Sequence, residues 1–200
     1  MSNLFFEATN WFYSSDLSEL IASKFLCQTR DVFQSRLDRF FRELLKIGFS
    51  INESGLAVSV IGEIGSNTFD HNLGSWKDQP GCWFETTIEG SVAYVIIADR
   101  GRGLFGSLKK VAPQLKTDQD AVDIGFEKII SGRAPEKRGN GLKYVRTVIN
   151  GDINHRLHFI SGQGFAQFGS MKTDFGLAIE KRLIGKPGAG TLAFLGWKFI

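Results

Sequence analysis

Val92-Ala93-Tyr94-Val95-Ile96-Ile97-Ala98-Asp99-Arg100-Gly101-Arg102-Gly103 is the stretch on which the fold turns. Val92–Ala98 reads as an apolar strand, and Asp99 closes it with a carboxylate. A charge at the end of a buried strand needs a partner, because burying it unpaired is costly. Gly101 and Gly103 let the chain turn sharply and approach a flat neighbour closely. Taken alone, the pattern also fits an ordinary Asp-Gly turn between a strand and a helix. Upstream, Cys82–Glu89 is a second strand, and Glu89-Gly90 joins the two as an antiparallel hairpin.

Ahead of the hairpin, Ser54 is expected to cap a helix that runs through Glu63-Ile64-Gly65-Ser66-Asn67 to about Asn72. Glu63 and Asn67 then lie one above the other on a single face, and His71 continues the row. A carboxylate and a carboxamide so stacked suit a phosphate site, where the amide oxygen takes a metal position and the carboxylate polarises water or a hydroxyl. The same residues equally fit an amphipathic helix with its polar face in water.

Downstream, Leu104–Val111 and Gln119–Ile130 read as helices separated by Pro113. Ser131–Asn140 is a polar loop, and Leu142–Ile149 is helical again. Gly139 and Gly141 precede that last helix, whose free amides would favour an anion, with Arg138 and Lys143 adding positive charge. A flexible loop holding an arginine fits this segment too. The remaining strand candidates are Arg156–Ser161, Phe165–Ser170, Phe175–Leu183 and Thr191–Phe199.

Residues 1–13 carry Phe5, Phe6, Trp11, Phe12 and Tyr13 without a clear structural period. From Ser15 the pattern turns helical, with Leu17, Leu20, Ile21 and Phe25 on one face. Phe33, Leu37, Phe40, Phe41, Leu44 and Leu45 continue it until Gly48. Arg30, Arg36, Arg39, Arg42 and Lys46 read as a solvated face. Helices interleaved with mostly antiparallel strands imply an α+β fold, a two-layer sandwich with one face of a mixed sheet covered by helices.

Composition narrows the classes. A chain of 200 residues, 42% hydrophobic and 22% charged, can bury a real core. Its net charge of +3 argues against nucleic acid, which calls for a concentrated basic patch. Cys27 and Cys82 lie far apart and match no metal or redox spacing, so they read as reduced, buried thiols. Nothing resembles a membrane span or a signal peptide, and a cytoplasmic protein is expected.

Three motifs stand in a fixed order: E-x-x-x-N at Glu63–Asn67, D-x-G-x-G at Asp99–Gly103 and G-x-G-L at Gly139–Leu142. Together they resemble the ATP-binding site of the gyrase, heat-shock chaperone, histidine kinase and mismatch-repair (GHKL) superfamily. The resemblance runs from about Gly55 onward. It implies a Bergerat-type ATP-binding domain over residues 51–200, with residues 1–50 as an N-terminal helical extension.

In that resemblance Glu63 is the general base, Asn67 the Mg2+ ligand and Asp99 the reader of the adenine amino group. Gly101 and Gly103 belong to the base pocket, and Gly139 and Gly141 contact the phosphates beside Arg138, Leu142 and Lys143. Residues 104–138 form the ATP lid, and Gly190-Thr191 resembles the Gly-Thr near the adenine. The two arginines of D-R-G-R-G are less typical, and leave open whether that loop also touches phosphate or a partner.

No histidine precedes His71, which argues against an autophosphorylating histidine kinase. No second domain is expected after the last strand, unlike in the gyrase-like and mismatch-repair members. The chain is similar in type to small standalone ATP-binding proteins of bacteria, including anti-sigma factor serine kinases. Two functions are expected from this: an Mg-dependent ATPase or Ser/Thr protein kinase acting on a protein partner, or a nucleotide-gated binding module with incidental turnover. The extension or the lid would supply the partner surface, or that of a homodimer.

Overall fold

Ala93, Val95 and Ile97 bury on one side of their strand, and Ile96 and Ala98 on the other, because successive side chains of a strand alternate. The two sets enter separate apolar clusters, so both faces of the sheet are covered. The computed structural model describes residues 2–16, 23–72, 75–127, 140–172, 188 and 190–200, with the backbone alone for 2–4. Its elements are α1 (Ser2–Tyr13), β1 (Leu26–Cys27), α2 (Arg30–Lys46), α3 (Ile51–Asn72), β2 (Cys82–Glu89) and β3 (Val92–Asp99). There follow α4 (Gly103–Leu108), α5 (Asp118–Glu127), α6 (Gly141–Asn150), β4 (His155–Ser161), β5 (Gly164–Gly169) and β6 (Thr191–Lys198).

The strands form one antiparallel sheet in the order β1-β2-β3-β6-β4-β5. Four helices, α2, α3, α5 and α6, cover its first face. Phe33, Leu37, Phe40 and Leu44 of α2, Val60, Ile61 and Ile64 of α3, and Val145 and Ile149 of α6 are all buried there. Each such side chain contributes about 1.5–3 kcal/mol on leaving water. The expected α+β sandwich forms, with every described strand pair antiparallel, but helices lie on both faces of the sheet and not on one alone. The strand expected over Phe175–Leu183 lies outside the described residues.

Local chemistry corrects two boundaries. Thr29 caps α2, its Oγ1 accepting from the Val32 amide at 3.4 Å, so this helix begins at Arg30 and does not continue the helical pattern expected from Ser15, whose Leu17, Leu20 and Ile21 lie outside the described residues. Leu26 and Cys27 pair with β2 instead, and residues 17–22 lie outside the described residues. At α3 the cap is Ser50, not Ser54. Ser50 Oγ accepts from the Glu53 amide at 3.2 Å, as an N-cap does, and its hydroxyl donates to the Glu53 carboxylate at 3.3 Å. Ser54 is buried one turn inside the helix.

The aromatic segment at the N-terminus becomes α1, and it lies on the second face. Phe5, Ala8, Trp11 and Phe12 pack against Trp83, Ile96, Ile160, Leu192 and Phe194. No described helix is long and apolar enough to cross a membrane.

Glu85 lies on this second face, two residues along β2 from Trp83. Burial lifts its carboxyl from an ordinary 4.5 to about 7, against smaller opposing effects of the Thr86 amide, Lys24 and Arg36. A carboxyl raised on folding adds stability that is complete below the unfolded value and fades as pH climbs through the folded one. Stability from Glu85 should therefore decline between about pH 4.5 and 7. Thermal melts across that window should fall more steeply for the parent than for Glu85→Gln. Parallel curves would remove Glu85 as the cause.

Candidate functional site

Helix α3 presents two neighbouring rows at the end of β3 that carries Asp99. Ile64, Thr68 and Asn72 repeat every four residues and are buried toward the sheet. Glu63, Asn67 and His71 form the adjacent row, one step nearer solvent.

The inner row meets Asp99. Asn72 Nδ2 donates to Asp99 Oδ1 at 3.1 Å, the Gly101 amide donates to the same oxygen at 2.8 Å, and Thr68 Oγ1 donates to Oδ2 at 3.4 Å. Burial pushes the Asp99 carboxyl up to about 6, and hydrogen bonds from Gly101, Asn72, Thr191 and Thr68 restrain the rise. Thr191 faces Asp99 across the β3–β6 pair. The carboxylate is thus held in a fixed orientation at the floor of a cleft.

Asn67, His71 and Asp99 line that cleft together with Gly103, Leu104, Ser107, Leu142, Phe159 and Thr191. Its enclosed volume is about 20 Å3, room for about one water molecule. Gly101 sits behind Asp99, where a Cβ would come within 2.0 Å of the Asn72 carboxamide. That close approach lets Asn72 Oδ1 accept from the Arg102 amide at 2.9 Å. Five residues expected at one site, Asn67, Asp99, Gly103, Leu142 and Thr191, therefore share one cleft.

Glu63 is exposed at the rim. It meets the third motif, since a Cβ on Gly141 would stand 2.3 Å from Glu63 Oε2. The carboxylate rests at the first residue of α6, where unpaired amides favour negative charge. Lys143 is exposed on α6 and does not line the cleft. Arg138 and Gly139 lie outside the described residues, as does the expected lid segment beyond residue 127. Helices α4 and α5, in the described part of that segment, share a small core of Leu108, Ala112, Leu115 and Ala121.

The arginines of the second motif have different partners. Arg100 is buried and uses every N–H it has. Nε and Nη2 grip the Asp78 carboxylate at 2.8 and 2.6 Å. Nη1 donates to the carbonyls of Trp11 and Phe12 at 2.9 and 2.6 Å, and Nη2 to that of Ser14 at 2.8 Å. This side chain fastens the end of α1 next to the cleft and has no donor left for a phosphate. Arg102 bonds Ser75 Oγ.

Sequence reasoning missed Thr68 and Asn72 as partners of Asp99. Their signal was the four-residue repeat with Ile64, one position along from the row of Glu63.

No family model matches the chain, and no curated protein does. Among solved structures it is similar to the histidine kinase domain from the Erythrobacter litoralis EL346 blue-light activated histidine kinase. The alignment has 15% identity, covers 96% of this chain and 71% of that one, and has a TM-score of 0.43. What the cleft can do follows from its own residues.

Proposed function

We propose that the cleft binds ATP with Mg2+ and that the chain passes the γ-phosphoryl group to a serine or threonine of a partner protein, or to water. The observation that carries this reading is the convergence of three separate sequence motifs. Asp99, Asn67 and Leu142 line one cleft, and Glu63 touches Gly141 at its rim. Asp99 offers a buried, oriented acceptor to an exocyclic amino group, and Thr191 stands beside it.

The donor set suits magnesium. Asn67, which lines the cleft, would be the protein ligand, with phosphate and water oxygens completing the shell. Bound there, the ion would neutralise charge on the phosphates. Glu63, one turn before Asn67, would accept a proton from the attacking hydroxyl or water.

A narrow cleft also favours gating. Helix α4 contributes Gly103, Leu104 and Ser107 to the cleft wall, so a nucleotide base seated beside Asp99 would press on it and could shift it. That motion would alter the surface offered to a partner, as the binding-module alternative requires.

Calorimetric titration with Mg-ATP tests the reading. Asp99→Asn should weaken binding tens-fold, about 1–3 kcal/mol, because an amide presents a donor where the adenine amino group also donates. The variant keeps one oxygen for Gly101 and Asn72, and the Thr68 hydroxyl can turn to accept, so the fold should survive. Absence of binding heat with the parent chain would overturn the nucleotide assignment.

A further inference from the structure

We propose that Cys27 and Cys82 form a dithiol site that hydrogen peroxide converts to a cross-strand disulfide, tying the edge strand β1 to β2 beside Asp99. Read by sequence separation, these cysteines looked unrelated. Antiparallel pairing places them directly opposite each other, in register Cys27↔Cys82. Directly opposed residues project to the same face, and both thiols are free and buried in the same cluster.

The Cα spacing falls in the disulfide range. The Phe84 amide donates to the Phe25 carbonyl at 3.0 Å, which makes positions 25 and 84 a hydrogen-bonded pair. By alternation, positions 27 and 82 are the same kind of pair, with Cα atoms about 5.5 Å apart. Disulfides span Cα separations of about 4.4–6.8 Å but need Cβ atoms about 3.5–4.5 Å apart, against about 5.5 Å at a hydrogen-bonded pair, so closure draws the short edge strand β1 about 1 Å toward β2.

The two thiols differ in a way that sets the order of events. A hydrogen bond with Cys82 and the nearby Arg36 guanidinium lower the Cys27 thiol, while burial raises that of Cys82. Arg36 reaches across β1 to the carbonyls of Lys24 and Leu26 at 3.0 and 3.4 Å, which fixes its charge there. Cys27 is therefore the nucleophile. Its thiolate attacks one peroxide oxygen, the O–O bond breaks, and hydroxide leaves, giving a sulfenic acid. The Cys82 sulfur then attacks the Cys27 sulfur, forming the S–S bond and expelling water. The two thiols lose two electrons in total, and one peroxide becomes two waters.

Access comes through β1, which is two residues long, lies at the sheet edge and is held by one neighbouring strand. Such a strand opens locally at lower cost than the sheet centre. The cross-link would close next to the cleft, because Cys82 also faces Asp99 across β2–β3. The proposal does not depend on what the cleft binds.

The experiment treats the folded full chain with hydrogen peroxide and reads intact mass and non-reduced peptide maps. The expected product is monomeric, lighter by two hydrogens, linked Cys27 to Cys82, and restored by a small dithiol reductant. In Cys82→Ser, a dione probe should trap the sulfenic acid at Cys27. In Cys27→Ser, loss of the remaining thiol should slow by about tenfold or more. The proposal is overturned if the folded chain keeps both thiols while the urea-unfolded chain oxidises. A link between two chains, or oxidation of either sulfur to sulfinic acid without a link, overturns it as well.

Discussion

Replacing Arg100 with methionine should cost about 3–5 kcal/mol of folding stability. For a chain of this length that is a fall in Tm of about 6–20 °C. The size follows from what is left behind. Arg100 donates to Asp78 twice and to three backbone carbonyls, those of Trp11, Phe12 and Ser14. Methionine fills the space and satisfies none of them. The Arg100 side chain is 3% exposed and that of Asp78 17%, so water reaches the pair mainly from the Asp78 side.

The bond from Arg100 is also the main cause holding the Asp78 carboxyl below its usual value. Stability from that depression is present above the unfolded value and lost as pH falls through the folded one. Arg100→Met should therefore show less acid sensitivity near pH 4 than the parent, whose Asp78 has an ordinary value of 3.8 to fall from. Asp78→Asn in the Arg100→Met background should recover part of the loss, since removing both partners is cheaper than stranding one. Hydrogen exchange should locate the remainder in α1, whose final carbonyls lose their donors. Unchanged melting with unchanged α1 protection would show that the clamp holds nothing.

The β2–β3 hairpin was legible because its apolar period and the Glu89-Gly90 turn are local features. Asp99 stood out for the same reason, as a charge on the end of an apolar run. Its partners did not. The four-residue repeat of Ile64, Thr68 and Asn72 tells which residues share a face, but not what that face meets. The cysteine pair was hidden more deeply, since it depends on which strand β1 joins. Its two residues are too few to carry a period of their own. The α2 and α3 boundaries slipped where two starts competed: Ser50 and Ser54 both precede helical sequence, and only the capping geometry with Glu53 decides between them. The role of Arg100 lay beyond sequence patterns altogether, because three of its partners are backbone carbonyls, which any residue could supply.

Under the nucleotide reading, Glu63→Ala should leave ATP affinity nearly intact and lower turnover by about 10²–10⁴-fold. The geometry separates the two effects. Glu63 is exposed at the rim and is not among the residues lining the cleft, so its removal leaves the binding walls unchanged. Asn67 does line the cleft, and Asn67→Ala should weaken the magnesium-dependent part of binding instead. Glu63→Gln sharpens the comparison, since it keeps the shape and loses the base. A further variant asks whether the position of the carboxylate matters as well as its presence. An alanine at Gly141 would put a Cβ 2.3 Å from Glu63 Oε2, the far end of a flexible side chain. Gly141→Ala should therefore displace the carboxylate more than the helix and lower kcat, while any rise in KM reports the phosphate contact that the resemblance implies for Gly141. Calorimetry gives the affinities and a phosphate-release assay gives the rates. ATP consumption by Glu63→Gln at the parent's rate would show that this carboxylate is not the base, and would leave the cleft as a nucleotide-gated binding site.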